Sequence, residues 1–402
     1  MYNIEPIGHK QKYRSAYAGC AAEGFMNYTI EEQYYIWLAG IEGVGPITFA
    51  SLMERFGTPQ AVFEQAPHHR DLLEQVPRVG AKLADRLARC ATQEHLQNFL
   101  HTLEKKGITA VSRLHALYPA ELLQVFGPPL VLYCKGRTEL LKSEKKIAVI
   151  GTRSPTAYGR DVAGKLGRAL GGGGVTVVSG MARGIDICAH LGALEAHGDT
   201  IAVLGCGTDV VYPADKSAVY EQICREGLML SEYIPGTGPL HGNFPARNRI
   251  ISGLSRGVVV VEAAERSGTN ITVSYALDQG RDVFAVPGNI LTGSSASTNA
   301  LIKGGCEVIT NEQDVLEYYG WGGREPRKGA HKAKNREPVQ LSFQQRLVTD
   351  ALQGGERSFD ELFEVTEFSM PDLFTVLSEL ELLGVIAQKP GRVYALADGV
   401  LI

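Results

Sequence analysis

Apolar residues recur at helical spacing near the start of the chain, change to short β-branched runs in the middle, and return to helical spacing near the end. Residues 1–28 carry no such pattern and read as a flexible N-terminal extension, with Met26 a candidate start. Thr29, followed by Glu31 and Glu32, can cap a helix and charge its first turn. The stretch 29–107 then reads as an all-helical domain. Ile41-Glu42-Gly43-Val44-Gly45-Pro46 breaks its pattern, and Phe49, Leu52, Met53 and Phe56 resume it. Val76-Pro77-Arg78-Val79-Gly80 followed by Leu83, Leu87 and Ala88 repeats the arrangement with Arg78 in place of Gly43. Two such breaks resemble helix-hairpin-helix units, which turn backbone N–H groups toward a phosphate. Two ordinary turns in a small bundle give the same pattern, and both readings stay open.

Residues 108–143 read as a connector with turns at Leu117-Tyr118-Pro119 and Phe126-Gly127-Pro128-Pro129 and a short strand at Leu130–Tyr133. From Lys146 the pattern alternates. Apolar runs at Ile147–Ile150, Val175–Val178, Thr200–Leu204, Leu228–Leu230, Val258–Val261, Val283–Val286 and Val308–Thr310 are mostly separated by helical segments. Strands without a polar face, alternating with helices, predict βαβ units and a parallel sheet covered on both sides. The expected fold is α/β, an extended Rossmann-like doubly wound parallel sheet over 144–320, with the all-α domain before it. Residues 321–340 carry Arg324, Arg327, Lys328, Lys332, Lys334 and Arg336 against Glu325 and Glu337, a net +4, and read as a basic linker. Residues 341–402 read as three helices and a hairpin, Phe343–Leu352, Phe359–Val365, Ser369 to Leu383, then Val385–Gln388 and Val393–Leu396 around Pro390-Gly391. That order predicts a winged helix. Four basic residues there face ten acidic ones, and the third helix carries Asp372, Glu379 and Glu381. Phosphate repels such a helix, so this domain reads as a protein-contact or regulatory element.

Composition narrows the function classes. Over 402 residues, 44% are hydrophobic and 21% charged, enough for a large core. The net charge is −4, so any binding of nucleic acid must come from a focused patch. Seven scattered cysteines with no C-x-x-C predict reduced thiols in a cytoplasmic protein. No run approaches the roughly 18 apolar residues of a membrane helix, and the N-terminus lacks a signal-peptide core.

Ligands of an open parallel sheet bind beyond the carboxyl ends of its strands. The segments there are Gly151-Thr152-Arg153-Ser154-Pro155 with Tyr158, Ser179-Gly180-Met181-Ala182-Arg183-Gly184, Gly205-Cys206-Gly207-Thr208, Glu262 with Ser267-Gly268-Thr269, and Pro287-Gly288-Asn289. Arg153 and Arg183 add fixed charge, and Phe244-Pro245-Ala246-Arg247-Asn248-Arg249 adds more. Guanidinium groups suit phosphate oxygens and stack on bases. Several of them over one crevice predict a polyanion site. Gly205-x-Gly207 lacks the third glycine of a dinucleotide fingerprint, and no phosphate-loop motif occurs. Asp186 and His190 have a spacing that could hold a metal, but no third ligand accompanies them, so core packing is preferred. Glu262 is either catalytic or orients a neighbouring arginine, and the second reading is preferred.

The strings Ile150-Gly151-Thr152-Arg153, Ser179-Gly180-Met181-Ala182-Arg183-Gly184-Ile185-Asp186, Phe244 to Ser255, Ser267-Gly268-Thr269 and Val286-Pro287-Gly288 occur in this order. Together they resemble the DNA-processing protein A family, DprA, also called Smf. The resemblance implies a non-enzymatic homodimer without cofactor or metal. It further implies binding and protection of single-stranded DNA during natural transformation and homologous recombination, and loading of the RecA recombinase. The strand contacts it implies here are Arg153, Arg183, Arg247, Asn248 and Arg249, with Gly151, Thr152, Tyr158, Gly180, Gly184, Ser267, Gly268 and Lys303 as further members. A related Rossmann-like group hydrolyses nucleoside monophosphates. In that alternative Glu262 would be the acid/base.

Overall fold

The computed structural model describes residues 28–265, 267–322, 341–353, 355–366, 368–383, 385–389 and 393–396. The expected N-terminal extension with Met26, nearly all of the basic linker and the Pro390-Gly391 turn lie outside these residues. The remainder forms two units that divide at Gly323.

The first unit opens with six helices, α1 (Ile30–Ala39), α2 (Pro46–Phe56), α3 (Pro59–Gln65), α4 (Arg70–Glu74), α5 (Ala81–Cys90) and α6 (Gln93–Lys105). Thr29 and Glu32 form the reciprocal cap of α1. Trp37, Leu52, Leu87 and Leu103 close the helical core. Its two hairpins are conformational copies. Gly43 and Arg78 take φ of +99° and +69° at matching places, and Gly45 and Gly80 precede α2 and α5. The copies lie against each other, with Arg86 of the second bonded to the carboxylate of Glu42 in the first at 3.0 Å.

Residues 108–143 do more than connect. They supply β1 (Thr109–Ser112) and β2 (Val131–Gly136), and β2 pairs antiparallel with a strand of the main sheet. The main sheet follows as β3 (Lys146–Ile150), α7 (Ala157–Gly172), β4 (Thr176–Ser179), α8 (Ile185–Glu195), β5 (Thr200–Val203), α9 (Ser217–Glu226), β6 (Leu228–Ser231), α10 (Asn243–Leu254), β7 (Gly257–Val260), α11 (Thr269–Asp278), β8 (Asp282–Ala285), α12 (Ala296–Lys303), β9 (Glu307–Val308) and α13 (Asp314–Tyr318). The nine strands lie in the order β1-β2-β6-β5-β4-β3-β7-β8-β9. Each strand from β3 to β9 is parallel to its neighbours within that set. Fully buried Ile147, Val149, Val177 and Val259 face α7 and α8, while Ala148, Val178, Val258 and Val260 face α10 and α11, as a sheet covered on both sides requires. The chain winds outward from β3 to β6, then crosses to β7 on the other side of β3. The carboxyl ends of β3 and β7 therefore flank the switch point, where the connections diverge and leave a crevice.

The second unit is a winged helix, α14 (Phe343–Leu352), β10 (Arg357–Ser358), α15 (Phe359–Thr366), α16 (Met370–Leu382), β11 (Ile386–Lys389) and β12 (Val393–Leu396). Its strands run β10-β12-β11 around a core of Val348, Leu362, Leu373 and Leu380. Ser369 caps α16, as its sequence predicts.

Candidate nucleic-acid interface

The switch-point crevice is a cavity of about 590 Å³, walled by the loops after β3, β4 and β7 and by the start of α10. The first two loops are tied together. Thr152 accepts the Ile185 N–H at 3.2 Å, and a Cβ at Gly184 would lie 2.4 Å from the Thr152 carbonyl oxygen. Gly184 has φ of +90°, so both conformation and close approach call for glycine there. This contact sets the Arg153 and Arg183 loops side by side, with Arg153 and Ala182 lining the cavity and Arg183 beside it.

Arg153 is exposed, and its guanidinium lies over the Phe244 ring at 5.7 Å from the centroid. The Tyr212 ring stands 5.2 Å beyond, tilted by 41°. Among the described residues no carboxylate pairs with Arg153. Arg183 is also at the surface, where Nη2 meets Asp215 Oδ1 at 2.6 Å. The guanidinium holds the Asp215 carboxyl below its ordinary range. Asn248, Ser267, Gly268, Gly151 and Thr152 line the same cavity.

Arg247 lies beneath these groups. It is 3% exposed and donates to the carbonyls of Gly180, at 2.8 Å, and Val203. Burial pulls its guanidinium down to about 10, which leaves it charged at neutral pH. Asp186 accepts the N–H groups of Gly180 and Ala182 at 3.1 and 3.2 Å, and burial pushes its carboxyl up against the pull of Arg247. Both side chains converge on Gly180, where a Cβ would come within 2.6 Å of Arg247 Nη2. Arg247 and Asp186 thus form the floor of the site, with Gly180 packed behind them.

Arg249, Lys303 and Tyr158, three expected contacts, lie outside the crevice. Arg249 turns away, with Nη1 and Nη2 on the Glu232 carboxylate at 2.7 and 2.6 Å and Nη2 on the Gly127 carbonyl at 2.9 Å. Two residues further along α10 than Arg247, it faces another side of the helix. Lys303 ends α12. That helix starts beside Ala263 at the carboxyl rim and runs back toward the start of β9, which leaves Lys303 near the opposite rim. Tyr158 lies just outside the crevice and donates its hydroxyl to the Pro287 carbonyl at 3.0 Å.

Glu262 bonds to no arginine among the described residues. It is 1% exposed, its Oε2 accepts the Thr156 N–H at 2.9 Å, and its own carbonyl accepts the Thr152 N–H at 2.7 Å. It thereby holds the Arg153 loop at two points, the Thr152 and Thr156 N–H groups. His190 is buried with Nδ1 2.6 Å from Thr200 Oγ1, and burial pulls it down to about 3, so it is neutral. It pairs with the sheet and leaves Asp186 to the crevice floor. No cluster of three metal-type ligands occurs among the described residues.

Phe244 and Tyr212 are not among the residues that the sequence predicts for the site. Phe244 heads the Phe244–Arg249 string, where the arginines drew attention, and Tyr212 sits in a loop that read only as an incomplete nucleotide fingerprint. An aromatic residue next to a cationic segment was the available signal.

The sequence of residues 86–320 matches a family described as DNA recombination-mediator protein A, and residues 332–392 match the DprA winged helix domain. Protein Smf of Synechocystis is 33% identical over 394 residues, covering 90% of this chain and 98% of its own. DNA processing protein DprA of Streptococcus pneumoniae is 46% identical over 213 residues, covering 53% of this chain and 75% of its own. The X-ray structure of the Streptococcus pneumoniae DprA superposes with a TM-score of 0.60 at 36% identity, covering 72% of this chain and 98% of that one.

Proposed function

The chain belongs to the DNA recombination-mediator protein A family, the DprA/Smf group of DNA-processing proteins, and on that premise we propose that it binds single-stranded DNA across the Arg153 crevice without altering it chemically. The observation that carries this reading is the stack of Arg153 on Phe244 beside Tyr212. An unpaired strand offers both partners the platform needs, a phosphate for the guanidinium and a free base face for the rings. Duplex bases are already stacked and expose no such face. Arg153 and Arg183 hold phosphates, Asn248 reaches a base edge, and the Gly151-Thr152 and Ser267-Gly268 backbones approach the strand closely. Arg247 supports from below with its charge.

In this reading the protein is a cytoplasmic homodimer that protects single strands during natural transformation and homologous recombination and hands them to RecA. The competing reading is a nucleotide hydrolase with Glu262 as acid/base. It is disfavoured because that carboxylate is sealed from solvent and bonded to Thr156. The test is a competition assay with fluorescent oligo-dT. Unlabelled dT displacing the probe at far lower concentration than a duplex supports the proposal, and equal competition overturns it. Release of free base from nucleoside monophosphates, abolished by Glu262→Gln, would instead establish the hydrolase.

A further inference from the structure

A second depression, about 490 Å³, adjoins the crevice on the far side of the Arg153 loop. We propose that it is a second base subsite, holding the nucleotide next to the one on Phe244. This rests on the single-strand reading above and extends it to a site with its own surface. The loop after β3 and the start of α7 form the crest between the two. Thr152 and Arg153 face the crevice, while Thr156 and Tyr158 face the depression. A strand crossing this crest would place a phosphate over Arg153 and successive bases on either side.

Three observations give the depression its chemistry. Tyr158 is half exposed while its hydroxyl is fixed to Pro287, so the ring is held in place with surface to offer. Ile290 and Leu291 are 87% and 88% exposed at the tip of the loop after β8. That loop is firmly built. Asn299 fastens Gly288 through both N–H and carbonyl at 3.1 Å, and Asn289 Oδ1 accepts the Leu291 N–H at 2.8 Å. The base of this loop, Pro287 to Asn289, lines the depression together with the fixed Tyr158 ring, and its tip carries two large apolar side chains, a combination that suits a flat apolar face such as a nucleobase. Leucine and isoleucine also serve as wedges against base steps in other DNA-binding proteins. No arginine or lysine lies in the lining, and the carboxylate of Glu262 beneath it is taken up by the Thr156 N–H. A lining without a cation offers phosphate no charged partner and leaves the base as the part of a nucleotide that fits.

The test is photocross-linking of the full-length protein to oligo-dT carrying 5-iodouracil, with adducts located by mass spectrometry. Adducts at Tyr158 as well as at the Tyr212–Phe244 pair are expected. Tyr158→Ala should weaken oligo-dT binding roughly fivefold to a hundredfold at unchanged salt slope, and Tyr158→Phe should retain binding. Leu291→Ser should weaken it without altering the oligomeric state. Adducts confined to Tyr212 and Phe244, with Tyr158→Ala binding like the parent, overturn the inference and leave the proposed function standing. A Leu291→Ser variant that binds oligo-dT normally but no longer self-associates also overturns it, because the loop would then contact a second copy. Absence of both adducts and of oligo-dT binding removes the proposed function, and this inference with it.

Discussion

Gly159 and Glu262 are fitted to each other. A Cβ at residue 159 would lie 2.2 Å from Glu262 Oε2, the oxygen that accepts the Thr156 N–H. Gly159→Ala must push this carboxylate off its partner, and should destabilise the protein by about 1–3 kcal/mol despite alanine's better helix propensity. Glu262→Ala should cost a similar amount, about 1–3 kcal/mol, because Thr156 loses its acceptor in a buried place. The two effects are coupled, so the alanine at 159 should cost less once Glu262 is gone. Urea unfolding of the parent, both single variants and the double variant measures this. Strict additivity would mean the contact does not brace the loop.

Arg183 stands beside the Arg153 loop with a carboxylate attached. Its pair with Asp215 is well exposed, so it contributes little to folding. Asp215→Asn should leave the thermal midpoint within a few degrees while raising oligo-dT affinity severalfold, since it frees the guanidinium and removes a negative charge beside the strand. Fluorescence anisotropy at low salt is the measurement. An unchanged or lower affinity would place Arg183 outside the binding path.

His190 sets a pH dependence of known sign. In the folded protein burial keeps it neutral down to about 3, whereas in the unfolded chain it takes up a proton below about 6.5. The unfolded state therefore binds more protons in this window, and acid favours unfolding. The contribution is fully present above pH 6.5 and is lost as pH falls toward 3. Other groups titrate in the same range, so the informative quantity is the difference from a His190→Gln variant. Thermal scans from pH 7 to pH 4.5 should show a shallower fall in Tm for the variant than for the parent. Parallel curves would contradict a neutral buried histidine.

The parallel core was legible because its central strands are apolar runs rich in β-branched residues and buried on both faces, as at Ile147–Ile150 and Val258–Val261. β1 was missed. Thr109–Ser112 is four residues long, follows directly on a helix, and gains its identity from pairing with β2. The second hairpin shows the opposite situation. Arg78 departs from the glycine of the first copy, yet the backbone takes the same left-handed turn, because the surrounding helices impose it.

Within the site, residue type predicted the loops but not the direction of each side chain. Arg247 and Arg249 are neighbours in one string, and helical geometry sends them to different surroundings, a crevice floor and an ion pair with Glu232. The sequence shows positive charge in both cases and carries no mark of the carbonyls and carboxylate that engage it. Phe244 escaped notice for the related reason that an apolar residue in an α/β chain is ordinarily core. Only coordinates show the Arg153 guanidinium resting on its ring.

The central claim is that exposed guanidinium groups at one rim hold the phosphates of a single strand. It is tested most directly by the slope of log K against log salt concentration for oligo-dT, compared among the parent, Arg153→Ala, Arg183→Ala and the double variant. Each single variant should bind more weakly and flatten the slope by about 0.7 per lost phosphate contact, while unfolding as the parent does. Variants that keep the parent's affinity and slope across the salt series would contradict it.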